Sequence, residues 1–229
     1  MNTSNFTQRL LALITEANFL KFYNILNEPN IFKIVGRTHY ERWHSCFFGW
    51  LLDPNGSHLM YDYVLTRILL LSFNERCLPS SDHQNAKLLK VLPTVKFQNI
   101  EVIPNEHIST ETSVKDVGRF DIFLTADYQS DQSSGKLNII FESKIDSRVD
   151  RGQSKRYADW LLGSHPNDLN LLIYILPNLG SDAESTVGDS RWYCMDYQLL
   201  HDSLLLPVLE HPNLNPKVSS FIVQYVKNL

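Results

Sequence analysis

Lys136-Leu-Asn-Ile-Ile-Phe-Glu-Ser-Lys144 is the stretch on which the fold turns. Its β-branched and aromatic middle reads as a strand that ends on Glu-Ser-Lys. Side chains on a strand repeat every two residues, so Glu142 and Lys144 share a face. Upstream, Gly118-Arg-Phe-Asp-Ile-Phe-Leu124 alternates too, with Phe120, Ile122 and Leu124 on one face and Asp121 on the other. The linker between them, Asp127-Tyr-Gln-Ser-Asp-Gln-Ser-Ser-Gly135, is polar and closes on Gly, as a hairpin connection does. Pairing the two runs brings Asp121 beside Glu142 and Lys144. Two carboxylates and an ammonium at one sheet edge suit a hard divalent cation and a water nucleophile. Mg²⁺ takes about six oxygens and keeps several waters, so two carboxylates and the Ser143 carbonyl are enough protein ligands. The same triplet also reads as an ion pair on a solvated strand face, because E-x-K is a common tripeptide.

This constellation resembles the PD-(D/E)XK nuclease superfamily, whose pattern is an Asp at the end or bend of one strand and Glu/Asp-x-Lys on the next. Phe120 stands here where the pattern has Pro, which is often lost among these nucleases. Two further blocks resemble one bacterial and phage branch. Gln153-Ser-Lys-Arg-Tyr157 matches its Q-x-x-R-Y helix. Glu41-Arg-Trp-His-Ser-Cys-Phe-Phe-Gly-Trp-Leu-Leu-Asp-Pro-Asn-Gly-Ser-His58 is similar to its opening helix, where an acid precedes His-Ser and a Leu-Leu-Asp-Pro turn that closes on His. The resemblance spans roughly residues 38 to 176. It implies a restriction-endonuclease-like mixed β-sheet core flanked by helices, in the α/β class. It implies that Asp121 and Glu142, with the Ser143 carbonyl, hold Mg²⁺ or Mn²⁺. Lys144 would assist the attack, Gln153 would hold the water or a phosphate oxygen, and Arg156 would contact phosphate. Glu41 would reach the metal directly or through water. The implied products are a 5′-phosphate and a 3′-hydroxyl. The implied substrate is DNA, in bacterial or phage defence or a mobile element, by a homodimer or a subunit of a larger machine. A non-cleaving module that binds nucleic acid or a protein is the alternative.

Each of these residues also has a structural reading. Glu41 is placed to close a capping box on Thr38, Gln153 to sit on a surface helix, and Tyr157 to pack on the sheet. His44 reads as a hydrogen-bonded core residue and His58 as the brace of its turn. His44 and Ser45 lack the elbow and third member of a hydrolytic set.

At 229 residues, with 43% hydrophobic and 20% charged residues, the chain is expected to be one domain over residues 1–229. Its formal charge of −4 (21 basic minus 25 acidic) argues against coating nucleic acid by bulk charge. Lys144, Arg148, Arg151, Lys155 and Arg156 nevertheless cluster beside the carboxylates, as phosphate binding requires. Asp146, Asp150 and Asp159 dilute that run, and nothing encodes base readout. There is no Walker A loop and no GxGxxG. Cys46, Cys77 and Cys194 lack zinc spacing and read as reduced thiols of a cytoplasmic protein. Neither a signal peptide nor a membrane span is expected.

Periodicity predicts helices over residues 4–27, 38–52 and 59–73, then a polar loop over 74–87. A strand follows from about 95 to 103, before the hairpin. Beyond it come a helix over 148–162, a buried strand over 169–176, a loop over 178–190 and a short edge strand over 192–195. Helices over 197–209 and 215–228 finish the chain. The strand–helix–strand unit over 137–176 calls for a right-handed crossover and a parallel pair.

Overall fold

The computed structural model describes residues 3–17, 19–20, 30–34, 36, 41–74, 77, 85–104, 117–145, 150–179 and 186–228. The chain divides into two compact units, residues 1–36 and 37–229. In the first, α1 (Thr3–Thr15) stops short of the helix expected over residues 4–27. The chain bends at Glu16, whose carboxylate accepts the backbone N–H of Phe19 at 2.8 Å in the manner of a cap. Phe22, Tyr23 and Leu26 lie outside the described residues. Ile31–Ile34 is a single helical turn, α2.

The second unit runs α3 (Glu41–Leu52), α4 (Tyr63–Leu71), α5 (Asn85–Val91), β1 (Lys96–Pro104), β2 (Ile122–Gln129), β3 (Ser134–Ser143), α6 (Arg151–Ser164), β4 (Leu169–Leu176) and β5 (Tyr193–Asp196). Then α7 (Tyr197–Leu200) passes through a π-helical turn (His201–Leu205) into α8 (Leu206–Leu209), and α9 (Pro216–Val226) follows. The strands form one mixed sheet in the order β1-β2-β3-β4-β5. The first three are antiparallel, and β3–β4 and β4–β5 are parallel. This is the α/β mixed sheet flanked by helices that the sequence implies, with α6 as the crossover between β3 and β4.

Register sets the faces. Ile140, Leu172 and Tyr174 join Tyr157, Ala158 and Leu161 of α6 in one buried layer. Ile139 and Phe141 alternate to the other face with Leu171 and Ile173. β4 is buried at every position, as its unbroken apolar run requires.

Several boundaries moved for identifiable reasons. β2 begins after Asp121 and runs to Gln129. Tyr128 pairs with Gly135 and Gln129 with Ser134, so most of the expected linker is strand. A solvated hairpin tip needs no apolar residue to pair, so composition hid it. Phe120 does not share a face with Ile122 and Leu124. The chain bends at Asp121, sending Phe120 into the α6 layer, while Ile122 and Leu124 pair with Phe141 and Ile139. α4 begins at Tyr63 because Leu59 and Tyr61 have φ of 64° and 52°, outside the right-handed helical region. Residues 85–91 are helix, beginning inside the loop expected over 74–87; so short a helix leaves little periodicity to read. α6 starts at Arg151 because the Asp150 side chain caps it, accepting from the Gly152 N–H. Thr38 and Arg148 lie outside the described residues. No helix among the described residues is long and apolar enough to cross a membrane.

Candidate active site

β3 outlasts its antiparallel neighbour. The last pair is Ile122 with Phe141, so Glu142 and Ser143 have no strand partner on the β2 side. The Asp121 side chain fills that gap. Its Oδ2 accepts the Ser143 backbone N–H at 2.8 Å and the Ser143 hydroxyl at 3.3 Å. A strand residue's N–H and C=O point the same way, so the Ser143 carbonyl also faces the Asp121 side. The bend that breaks the alternation at Phe120 thus turns Asp121 onto the end of the central strand.

Glu142 is only 2% exposed. Its Oε1 accepts from Lys144 Nζ at 2.7 Å, while its Oε2 is buried with no hydrogen-bond partner. Glu41, at the first turn of α3, reaches the same place. Its Oε2 lies 3.5 Å from Lys144 Nζ, and its Oε1 accepts the Ile145 N–H at 3.2 Å. The structure therefore brings Asp121, Glu142, Lys144 and Glu41 together. Fully ionised, three carboxylates and one ammonium carry −3 + 1 = −2. Burial, and then the charge of Asp121, push the Glu142 carboxyl up to about 8. Burial also raises Asp121. Burial works against the Lys144 ammonium, but Glu142 and the other acids outweigh it and hold the pKa above its ordinary value.

Among the described residues, no three His, Cys, Asp or Glu side chains converge to hold a metal unaided. The donor set still fits a hard cation that keeps several waters. It offers two carboxylates, an orphaned buried oxygen on Glu142 and a backbone carbonyl at Ser143 that faces the Asp121 side. The surplus negative charge is what a divalent ion would offset.

Gln153 is tied down. Its Nε2 donates to the Tyr157 hydroxyl at 2.7 Å, and that hydroxyl donates to the Arg119 carbonyl, two residues before Asp121. Tyr157 is core, as the sequence suggested, and burial pushes its pKa up to about 12. It also anchors the segment leading into Asp121. The ring lies 3.1 Å from where a Cβ on Gly118 would stand, and Gly118 has φ of +127°, so only glycine fits there. The expected basic run divides. The Lys144 side chain, 12% exposed, is consumed by the acids, whereas Arg151, Lys155 and Arg156 are exposed on α6. Among the described residues, only a 3.8 Å pairing to Asp150 engages Arg156.

His44 and His58 serve structure. His44 Nδ1 is 2.6 Å from the Tyr225 hydroxyl. The Met60 N–H donates to His58 Nδ1, so Nε2 carries the proton and donates to the Asp53 carbonyl. Burial lowers the His58 pKa, in keeping with that neutral ring. Sequence reasoning missed Tyr197, a buried phenol on α7 that feels the charges of Asp121 and Glu41. It is remote in sequence and carries no periodic signal.

No curated protein and no solved structure matches the chain significantly. The family described as the PD-(D/E)XK nuclease superfamily does match it, over residues 29–227, which cover almost all of the second unit. With the mixed sheet and the strand-end carboxylates beside that match, the chain belongs to the PD-(D/E)XK nuclease superfamily.

Proposed function

We propose that this protein is a nuclease that hydrolyses phosphodiester bonds in DNA internally, with Mg²⁺ or Mn²⁺. The observation that carries the reading is the meeting of Asp121, Glu142, Lys144 and Glu41 at the end of β3, with Glu142 Oε2 buried and unpartnered. Asp121 and Glu142, with the Ser143 carbonyl, would hold the cation. A bound divalent ion lowers the pKa of a coordinated water and offsets charge on the scissile phosphate. Lys144, held between Glu142 and Glu41, is an ammonium that donates hydrogen bonds to the water or a phosphoryl oxygen. Glu41 fixes that ammonium and the backbone at Ile145. Gln153 Nε2 is spent on Tyr157, so its Oε1 would be the atom that accepts from the water. In the reaction, the water oxygen bonds to phosphorus, the P–O3′ bond breaks and a proton passes to the leaving oxygen. The products are a 5′-phosphate and a 3′-hydroxyl. Arg151, Lys155 and Arg156 line the backbone path, with Arg148 beside them in sequence. Likeness to the bacterial and phage branch favours defence or a mobile element as the setting, which is fold-level analogy.

The test is relaxation of supercoiled plasmid with Mg²⁺ or Mn²⁺. Wild-type protein should nick or linearise it, and Glu142→Ala and Lys144→Ala should each lose at least about 100-fold in rate, as removal of an electrostatic group from such a site costs. Cutting that survives in both variants removes these residues from the mechanism. Cutting by no form, with DNA still bound, favours a binding module.

A further inference from the structure

Behind the carboxylates, on the face of β3 away from Glu142, three hydroxyls from three elements meet. Ser143 supplies one, and its proton goes to Asp121 Oδ2 at 3.3 Å, because an ionised acceptor outcompetes a neutral one. Ser45 on α3 donates to the Glu41 carbonyl at 3.1 Å and lies 3.4 Å from Ser143 Oγ. Tyr197 on α7 is the third. It is 8% exposed, and its hydroxyl oxygen is buried without a formed hydrogen bond. Its ring packs on His44, the neighbour of Ser45 on α3, and Ser45 Oγ is 3.4 Å from Ser143 Oγ, so the phenol lies on the Ser143 side of this group. The Tyr197 ring is held edge-on by His44 at 5.4 Å, and His44 is gripped in turn by Tyr225. A buried phenol with no bond formed, near a serine that already donates onward, has that serine's oxygen as an acceptor within a small movement.

We propose that Tyr197 and the Ser143 side chain are positioning residues for Asp121: the phenol donates to Ser143 Oγ, Ser143 donates to Asp121 Oδ2, and the carboxylate is held with Oδ1 turned to the cation. The inference rests on the nuclease reading above and extends it to side chains that touch neither metal nor substrate. It gives the middle residue of Glu142-Ser143-Lys144 a task of its own. Its neighbours face the site on one side of the strand, and the serine braces the partner acid from the other.

The test is calorimetric titration of Mn²⁺ into the full-length, metal-free protein, with the plasmid assay beside it. Tyr197→Phe and Ser143→Ala should each weaken Mn²⁺ binding by roughly 10-fold, the usual scale for a group that orients a metal ligand. Tyr197→Phe should lower kcat and leave KM for DNA unchanged. Its metal-free melting temperature should hold or rise, because the phenol's bond to Ser143 is not yet formed without the cation. Asp121→Asn is the reference that abolishes binding. If both variants bind Mn²⁺ like the wild type while Asp121→Asn does not, the positioning role is overturned and the nuclease reading stands. A Tyr197→Phe protein that melts lower yet binds Mn²⁺ normally would show the phenol to be structural only, which also overturns it. If the wild type neither binds Mn²⁺ nor cuts, both readings fall together.

Discussion

Glu142 has one oxygen on Lys144 and the other buried with nothing to accept from. An ionised group in that state is costly without a compensating cation. Metal binding should therefore stabilise the fold as well as arm the site. At free Mn²⁺ near 100 times its dissociation constant, linkage adds about 2.7 kcal/mol to the wild type, visible as a rise in melting temperature. Glu142→Gln keeps the side chain's shape and removes its charge, so most of that rise should disappear. A Gln variant that gains as much as the wild type would take Glu142 out of the ligand set. At this scale the sequence showed half of the site. Glu142 and Lys144 share a face because strand side chains repeat every two residues. Asp121 arrives by a bend that breaks that repeat, and the partnership of Glu41 with Ile145 joins residues 104 apart in the chain. Neither event leaves a local pattern to read.

Among the elements, the connection into β5 shows how short polar segments are pinned. Asp189 accepts from the Arg191 backbone N–H and twice from its guanidinium, and Arg191 also reaches Asp159 on α6 at 2.8 Å. Burial alone would raise the Asp189 carboxyl, but the Arg191 hydrogen bonds outweigh it and hold the pKa below 3.8. A carboxyl depressed by folding stabilises the protein above its unfolded pKa and loses that contribution as pH falls through the folded value. Asp189→Asn should thus melt lower than the wild type at pH 7, by about 1 kcal/mol for a partly exposed pair. The gap should close as the pH falls from the ordinary carboxyl value of 3.8 through the depressed folded one. A difference that persists unchanged into acid would mean packing, not charge, holds this connection. Long elements were legible for plain reasons. β4 is an unbroken apolar run between turn residues, whereas the start of α6 was placed three residues early because Asp150 was not read as its cap. α5 was not legible, because its few residues resemble loop. The π turn after α7 was not either. The Ser203 carbonyl there accepts from Arg67 of α4, a contact set by packing between elements distant in sequence.

For the whole molecule, the mixed topology followed from the β3–α6–β4 crossover, which admits a parallel pair in the same sheet. The bend at Glu16 and the unit boundary near residue 36 are settled by contacts, not by composition. Charge is distributed just as unevenly. The chain carries −4 overall, and the acids that gather at the end of β3 absorb Lys144, leaving Arg151, Lys155 and Arg156 exposed on α6. If DNA follows that helix, its phosphates meet these side chains, and affinity must fall with salt by counterion release, close to 0.9 in log–log slope per phosphate neutralised. Replacing Lys155 and Arg156 together by Ala should flatten the slope by about 2 and weaken binding alike for unrelated sequences. KM should rise while kcat at saturation holds. Melting should hardly move, since Arg156 has only a solvent-exposed 3.8 Å pairing to lose. A slope unchanged by the double substitution would put the nucleic acid on another face of the molecule, and the carboxylates of β3 would then need a different approach for their phosphate.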